Sequence, residues 1–123
     1  MYRILLAGLL LLAQLGAAEY RLLRAQKLEI PAADLTISAT YYPVSASQNY
    51  AVILIHALGR NRGDWNDLAK YLQKEGIAAL TFDLRGHGES IAADQRGWRL
   101  FQDAEYQELN ANLAAVYAYA VQK

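Results

Sequence analysis

The chain of 123 residues carries 12 Lys and Arg against 12 Asp and Glu and contains no cysteine. The balanced, scattered charges exclude the basic face that nucleic-acid binding requires, and the lack of cysteine excludes disulfides, thiolate metal sites and a cysteine nucleophile. A chain of this length suffices for one small domain with a hydrophobic core.

The first 18 residues have the layout of a secretory signal peptide. Arg3 precedes an apolar run over residues 4–13, and small residues at 16–18 come before the first acidic residue, Glu19. The apolar run is shorter than the ~20 residues that a membrane-spanning helix needs. We therefore predict a signal peptide over 1–18 and a mature chain, 19–123, that is periplasmic or secreted. An N-terminal membrane anchor is the alternative.

The next segment predicts a β-hairpin. Apolar and polar side chains alternate from Leu35 to Tyr42, which is typical of a strand with one face in solvent. A shorter candidate strand, Lys27 to Ile30, precedes it, and residues 31–34 separate the two. We expect two antiparallel strands joined by a turn.

Two strands with a helix between them follow the hairpin. Residues 51–55 and 77–82 are mostly apolar without alternation, as in central strands of a mainly parallel sheet that is covered on both faces. Asp64 is the predicted N-cap of the intervening helix, and Gly76 suits the left-handed position at its end. Asp103 is the predicted cap of a last helix. The apolar stripe of that helix is formed by Tyr106, Leu109, Leu113, Val116 and Ala120. This order predicts an α/β fold with an N-terminal β-hairpin followed by a βαβα unit.

The loop after the first buried strand is the first candidate functional segment, because ligands bind at the carboxyl ends of strands in open α/β sheets. His56 ends the strand and Gly59 follows three residues later. This spacing places the backbone N–H groups of Ala57 and Leu58 where they can bind a developing oxyanion.

The loop at residues 83–90, after the second buried strand, is the second candidate segment. Gly86 and Gly88 suit a tight turn with positive φ. Asp83 and Arg85 are predicted to support the loop through hydrogen bonds and a local ion pair.

The same loop also contains the residue types of a catalytic triad. Asp83, His87 and Ser90 supply a carboxylate, an imidazole and a hydroxyl. Triads are assembled from separate loops, since the base must face the nucleophile, and side chains this close along one turn seldom do so. We therefore predict an exposed His87 and no local triad.

The two loops together resemble those of the α/β-hydrolase fold superfamily, which contains serine hydrolases of the esterase and lipase type. His56-Ala-Leu-Gly59 is similar to the oxyanion loop of that family, and Asp83-Leu-Arg-Gly-His-Gly-Glu-Ser90 is similar to its Asp-x-Arg-Gly-x-Gly-x-Ser loop. The resemblance covers residues 27–123 and implies the N-terminal part of an α/β-hydrolase domain. It also implies that the Leu58 N–H forms one half of an oxyanion hole and that His56 shapes the loop. Ala57 stands where the family usually has glycine.

The resemblance has a further implication for the catalytic groups. In the family, the nucleophile, the acid, the general base and the second oxyanion donor follow the segment that is matched here, and no Gly-x-Ser-x-Gly elbow occurs in the chain. The implied function is a truncated, exported hydrolase of small-molecule esters, or amides, that is inactive alone. The alternative is a non-catalytic binding module or one half of a two-chain assembly. No cofactor, metal, nucleic acid or stable membrane span is expected.

The strand order of the family also predicts an unpaired strand edge. Residues 51–55 would lie between the fourth strand and a fifth strand that these 123 residues do not supply. The far edge of this strand carries neither charge nor proline, and such edges recruit other chains. Self-association through this edge is therefore expected.

Overall fold

Four strands, two α-helices and two short 3₁₀ helices form the part of the chain that the computed structural model describes, residues 23–45 and 49–122. The elements are β1 (Gln26–Ala32), β2 (Leu35–Tyr42), β3 (Val52–Ile55), α1 (Asn66–Lys74), β4 (Ala79–Phe82) and α2 (Asp103–Ala120). The predicted signal peptide, 1–18, lies outside the described residues. Neither α-helix has the length and apolar character that crossing a membrane requires.

The predicted hairpin is confirmed and is longer than the sequence indicated. β1 and β2 pair antiparallel up to Ala32 and Leu35, so that only Ala33 and Asp34 form the turn. Pro31 lies within β1, where it is tolerated because β1 is an edge strand. The expectation of a solvent-exposed face on β2 is wrong for Ser38 and Tyr42, which are buried, whereas Thr36 is exposed and Thr40 is half-buried.

The sheet is mixed, and the prediction of a mainly parallel sheet is therefore wrong. The strand order is β1-β2-β4-β3, with β4 antiparallel to β2 and parallel to β3. Only the crossover through α1 produces a parallel pair, because the hairpin strand β2 meets β4 in the opposite direction. The βαβ unit itself is present as predicted.

The two strands of the βαβ unit differ in burial. All four residues of β4 are buried, as predicted. In the described part of the chain β3 pairs with β4 alone, its side chains are partly exposed, and Ile55 is 44% exposed. The prediction that β3 is central and covered on both faces is therefore wrong for the described residues. Its unpaired edge agrees with the strand order that the family resemblance implied.

The two helices cover opposite faces of the sheet. α2 packs Val116 against a cluster that includes Leu80 and Phe82, whereas α1 packs Ala69 against Ala79. Successive residues of a strand point to opposite faces, which places the helices on the two sides of β4.

Both predicted helix caps are wrong by one residue, since the N-caps are Trp65 and Gln102, whereas the predicted end of α1 is confirmed. A 3₁₀ helix, Arg62–Trp65, precedes α1, and Asp64 pairs with Arg60 instead of capping the helix. α2 is capped by Gln102, which forms a capping box with Glu105. Gly76 follows α1 with a φ of +78°.

Candidate functional site

The loop after β3 is a tight turn at the carboxyl end of the strand. The N–H of Arg60 donates to the carbonyl of Ala57 at 3.0 Å, and Gly59 has a φ of +79°. A positive φ at the third position of such a turn favours glycine. Ala57 is not among the residues with positive φ, so alanine is tolerated without strain where the family usually has glycine.

The turn leaves two backbone donors free. Within residues 23–45 and 49–122, the N–H groups of Ala57 and Leu58 have no hydrogen-bond acceptor. Both residues are exposed. Free N–H groups next to each other at a strand end are what an oxyanion hole needs. The oxyanion-hole role of Ala57 and Leu58 stays a prediction.

His56 is buried and connects the two loops. Its side chain is 3% exposed, its Nδ1 lies 2.8 Å from the carbonyl oxygen of Ala57, and its Nε2 accepts the N–H of Leu84 at 3.0 Å. Because Nε2 accepts a hydrogen bond, it carries no proton, and Nδ1–H donates to the carbonyl. His56 is therefore a neutral imidazole with its proton on Nδ1.

His87, in the second loop, binds a backbone N–H of the first loop. Its Nε2 accepts the N–H of Gly59 at 2.9 Å, and its Nδ1 lies 2.9 Å from the carbonyl oxygen of Arg85, to which it donates. The prediction of an exposed His87 is wrong, because the side chain is only 3% exposed. The later chain segment covers it: Trp98 stacks on the imidazole with ring centroids 5.7 Å apart, and Phe101 meets it edge-on.

Together these contacts form a reciprocal connection that we call the histidine clasp: His56 bonded to Leu84 N–H, and His87 bonded to Gly59 N–H. The two imidazole centroids lie 5.0 Å apart. Each loop therefore supplies one N–H to a histidine of the other loop. The clasp fixes the free N–H groups of the first loop relative to the second loop.

Asp83 anchors the second loop, but not through Arg85. Its buried carboxylate accepts the backbone N–H of Arg62 at 2.7 Å and that of Glu89 at 2.9 Å. The Arg62 guanidinium pairs with the same carboxylate. The predicted local ion pair between Asp83 and Arg85 is therefore wrong, because the counter-ion of Asp83 comes from the 3₁₀ helix before α1.

Arg85 connects the second loop to distant elements. Its guanidinium binds both carboxylate oxygens of Asp34 at 2.7 Å and contacts Glu108 at 3.1 Å. The hydrogen bond from Arg85 lowers the pKa of Asp34 below its usual value. Arg85 therefore fastens the loop to the hairpin turn and to α2.

The glycines of the second loop allow close packing. Gly86 has a φ of +73°, and a Cβ there would lie 2.6 Å from the ring of Phe101. Gly88 has a φ of +50°, and a Cβ there would overlap the Asp83 carboxylate. Both positions combine a left-handed backbone with a lack of space for a side chain.

Ser90 does not complete a local triad. Its buried hydroxyl accepts the N–H of Ser38 at 2.9 Å, and both ring nitrogens of His87 are engaged elsewhere. Asp83, His87 and Ser90 are thus close in sequence without forming a relay. In the described part of the chain no group of three His, Asp or Glu side chains could hold a metal ion.

The sequence analysis missed two residues of this region, Arg62 and Phe101. Arg62 gave no signal, since its partner Asp83 lies 21 residues away. Phe101 is an aromatic residue with mostly polar neighbours, and that contrast was the available signal.

The family described as "Serine aminopeptidase, S33" matches residues 46–122 of the chain. No curated protein sequence matches this chain significantly.

Solved structures share the fold. DcsB, solved with its substrate analogue, matches with a TM-score of 0.65 and 19% identity over 79% of this chain and 31% of its own. The epoxide hydrolase VrEH1 from Vigna radiata matches with a TM-score of 0.60 and 15% identity over 78% of this chain and 28% of its own. The esterase EaEST from Exiguobacterium antarcticum matches with a TM-score of 0.59 and 19% identity over 77% of this chain and 32% of its own. At these identities the likeness shows the fold alone, and the chain spans at most 32% of the length of these three proteins.

The packing at Gly88 gives a testable prediction. We expect Gly88→Ala to lower the free energy of unfolding by about 2 kcal/mol or more, because the new methyl combines left-handed backbone strain with overlap on a buried carboxylate. Gly97→Ala is the matched control, since its φ is −81° and the nearest atom to a new Cβ lies 3.8 Å away. The control should change stability by less than about 0.5 kcal/mol in urea denaturation. Equal losses for the two variants would contradict this account of the loop.

Proposed function

We propose that this chain supplies the oxyanion loop of a serine hydrolase, because it belongs to the serine aminopeptidase family and has the fold of the N-terminal part of an α/β hydrolase. One observation carries the proposal: the turn at residues 57–60 leaves the N–H groups of Ala57 and Leu58 free at the carboxyl end of β3. In acyl transfer, attack on the carbonyl carbon moves an electron pair onto the carbonyl oxygen. Donors fixed around that oxygen stabilise the charge, and loss of one costs about 10²–10³ in kcat.

The remaining catalytic groups are proposed to come from outside these 123 residues. No Gly-x-Ser-x-Gly elbow is present, and the hydroxyl of Ser90 is buried and bonded to Ser38. Neither histidine can act as the general base while both of its ring nitrogens form hydrogen bonds to the backbone of the two loops. The chain thus provides oxyanion stabilisation without a nucleophile.

The proposed substrates are small esters, with amides as the second class. Both pass through a tetrahedral intermediate whose oxyanion the same N–H groups would bind. The name of the family indicates amide hydrolysis, whereas the structural neighbour from Exiguobacterium antarcticum is an esterase. A fold does not determine a substrate, so the choice between esters and amides rests on measurement.

We predict that the purified 123-residue chain, or its mature form from residue 19, does not hydrolyse short p-nitrophenyl esters above background. The reason is the missing nucleophile. Ser90→Ala is the matched control and should behave like the unmodified chain. Activity that persists through purification and is lost in Ser90→Ala would contradict the proposal.

We also propose that the protein is exported. The support is the sequence pattern of residues 1–18. A tagged precursor should be shortened during secretion, and its new N-terminus should lie near Glu19. Edman degradation or mass spectrometry of the secreted product measures this. Uncut protein in the membrane fraction would favour an N-terminal anchor instead.

A two-chain assembly is the second candidate, and the exposed edge of β3 favours it. β3 is apolar and pairs only with β4 in the described part of the chain, and Ile55 is exposed. Such an edge can pair with another strand, from a complementing C-terminal half or a second copy. Size-exclusion chromatography should show dimers or larger species, and Ile55→Lys, which places a charge at an exposed position of this strand, should shift them toward monomer. A monomeric unmodified chain would contradict pairing with a second copy, and a chain that also stays monomeric when mixed with a complementing C-terminal half would contradict the two-chain assembly.

A further inference from the structure

Both histidines of the chain are buried in the clasp, and the proposed chemistry uses neither of them directly. We propose that His56 and His87 are positioning residues that orient the oxyanion donors, and that protonation of His87 releases the turn. The link to catalysis rests on the proposed function. The way in which the two histidines hold the turn is independent of the proposed function.

His56 acts on the peptide unit that carries the Leu58 N–H. A peptide bond is planar and trans, so the Ala57 carbonyl and the Leu58 N–H point in opposite directions within one plane. The carbonyl of Ala57 accepts from the Nδ1–H of His56 and from the N–H of Arg60. By holding the carbonyl, His56 therefore sets the direction of the donor at Leu58.

The next peptide unit is held from the other loop. Its N–H belongs to Gly59 and donates to Nε2 of His87 at 2.9 Å. The two histidines thus fix two consecutive peptide planes, one through its oxygen and one through its nitrogen. Without the bond to His87, the peptide between Leu58 and Gly59 can rotate and change the turn that exposes the oxyanion donors.

Trp98 shields this second bond. Its ring stacks on His87 with an interplanar angle of 11°, and a Cβ placed on Gly59 would lie 3.0 Å from the same ring. Trp98 therefore packs next to both residues of the Gly59–His87 hydrogen bond and covers its acceptor side, because His87 is buried whereas Gly59 is exposed. Water is thereby kept from the imidazole that accepts the bond.

A proton on His87 would break the bond. The protonated ring carries N–H on both nitrogens, so a second donor would face the Gly59 N–H. The titratable and charged groups around His87 come from three packed elements. Asp83 in the same loop favours the charged form, His56 in the first loop disfavours it, and the Arg99 guanidinium lies on the Trp98 ring, 4.9 Å from its centroid. Burial is the largest influence and lowers the pKa of His87 below its ordinary value of 6.5.

The sign of the pH effect follows from this lowered pKa. A histidine whose pKa is lower in the folded state stabilises the fold fully above its unfolded value of 6.5. That contribution is lost as the pH falls through the lower, folded pKa. The turn should therefore be held near neutral pH and released in acid.

Hydrogen exchange at the Gly59 amide of the full chain tests the proposal without any substrate. We expect protection near pH 7.5 that falls as the pH drops below 6.5, by up to about tenfold per pH unit until the lower, folded pKa of His87 is reached, after correction for intrinsic exchange. His87→Gln places a non-titrating acceptor near the position of Nε2 and should keep the protection without the acid loss. His87→Phe keeps an aromatic ring against Trp98 but offers no acceptor, and Gly59 should exchange freely at every pH.

Three outcomes would overturn the proposal: equal Gly59 protection in His87→Phe and the unmodified chain, the same acid loss in His87→Gln, or no acid loss in the unmodified chain. Amides of β2 serve as the internal reference, and their lack of protection would contradict the fold on which the proposal stands. Failure of the proposed hydrolase function leaves these measurements unchanged, so the two ideas can fail separately.

Discussion

The reciprocal hydrogen bonds of the histidine clasp are the constraint on which the rest of the site depends. β3 and β4 run parallel, so their following loops leave the same edge of the sheet. His56 and His87 then exchange one N–H···N bond each way between these loops. Each bond requires a neutral imidazole with its proton on Nδ1, which both rings use to hold a carbonyl. The position of the first loop and the direction of its free N–H groups therefore depend on both imidazoles being neutral.

The clasp has a fixed position because the second loop is anchored independently. Asp83 is held by Arg62, and Arg85 is held by Asp34 and Glu108. These ion pairs tie the loop to the 3₁₀ helix before α1, to the hairpin turn and to α2. Among the residues that the structure describes, the turn at 57–60 has no comparable set of buried ion pairs, and its position depends on the second loop. This division suits a site in which backbone N–H groups must stay in place while they remain free of internal partners.

The features that the sequence revealed were local. Alternation in β2, the apolar runs of β3 and β4, the left-handed Gly76 and the two loop motifs each lie within a few consecutive residues, so pattern alone identified them. The mixed sheet and the partly exposed β3 depend on which strands meet, and that is a non-local property. His87 was predicted to be exposed because nothing in its own loop shows that Trp98 and Phe101 return to cover it. The partner of Asp83 was missed for the same reason.

The direct test of the clasp is nitrogen–nitrogen scalar coupling across its two hydrogen bonds, measured by NMR on the ¹⁵N-labelled full chain at about pH 7.5. Couplings should connect the Gly59 amide nitrogen to Nε2 of His87 and the Leu84 amide nitrogen to Nε2 of His56. The ring nitrogen shifts should show the proton of both imidazoles on Nδ1. Protonated Nε2 atoms, or folded protein without these couplings, would contradict the clasp and the placement of the loop after β3 that depends on it.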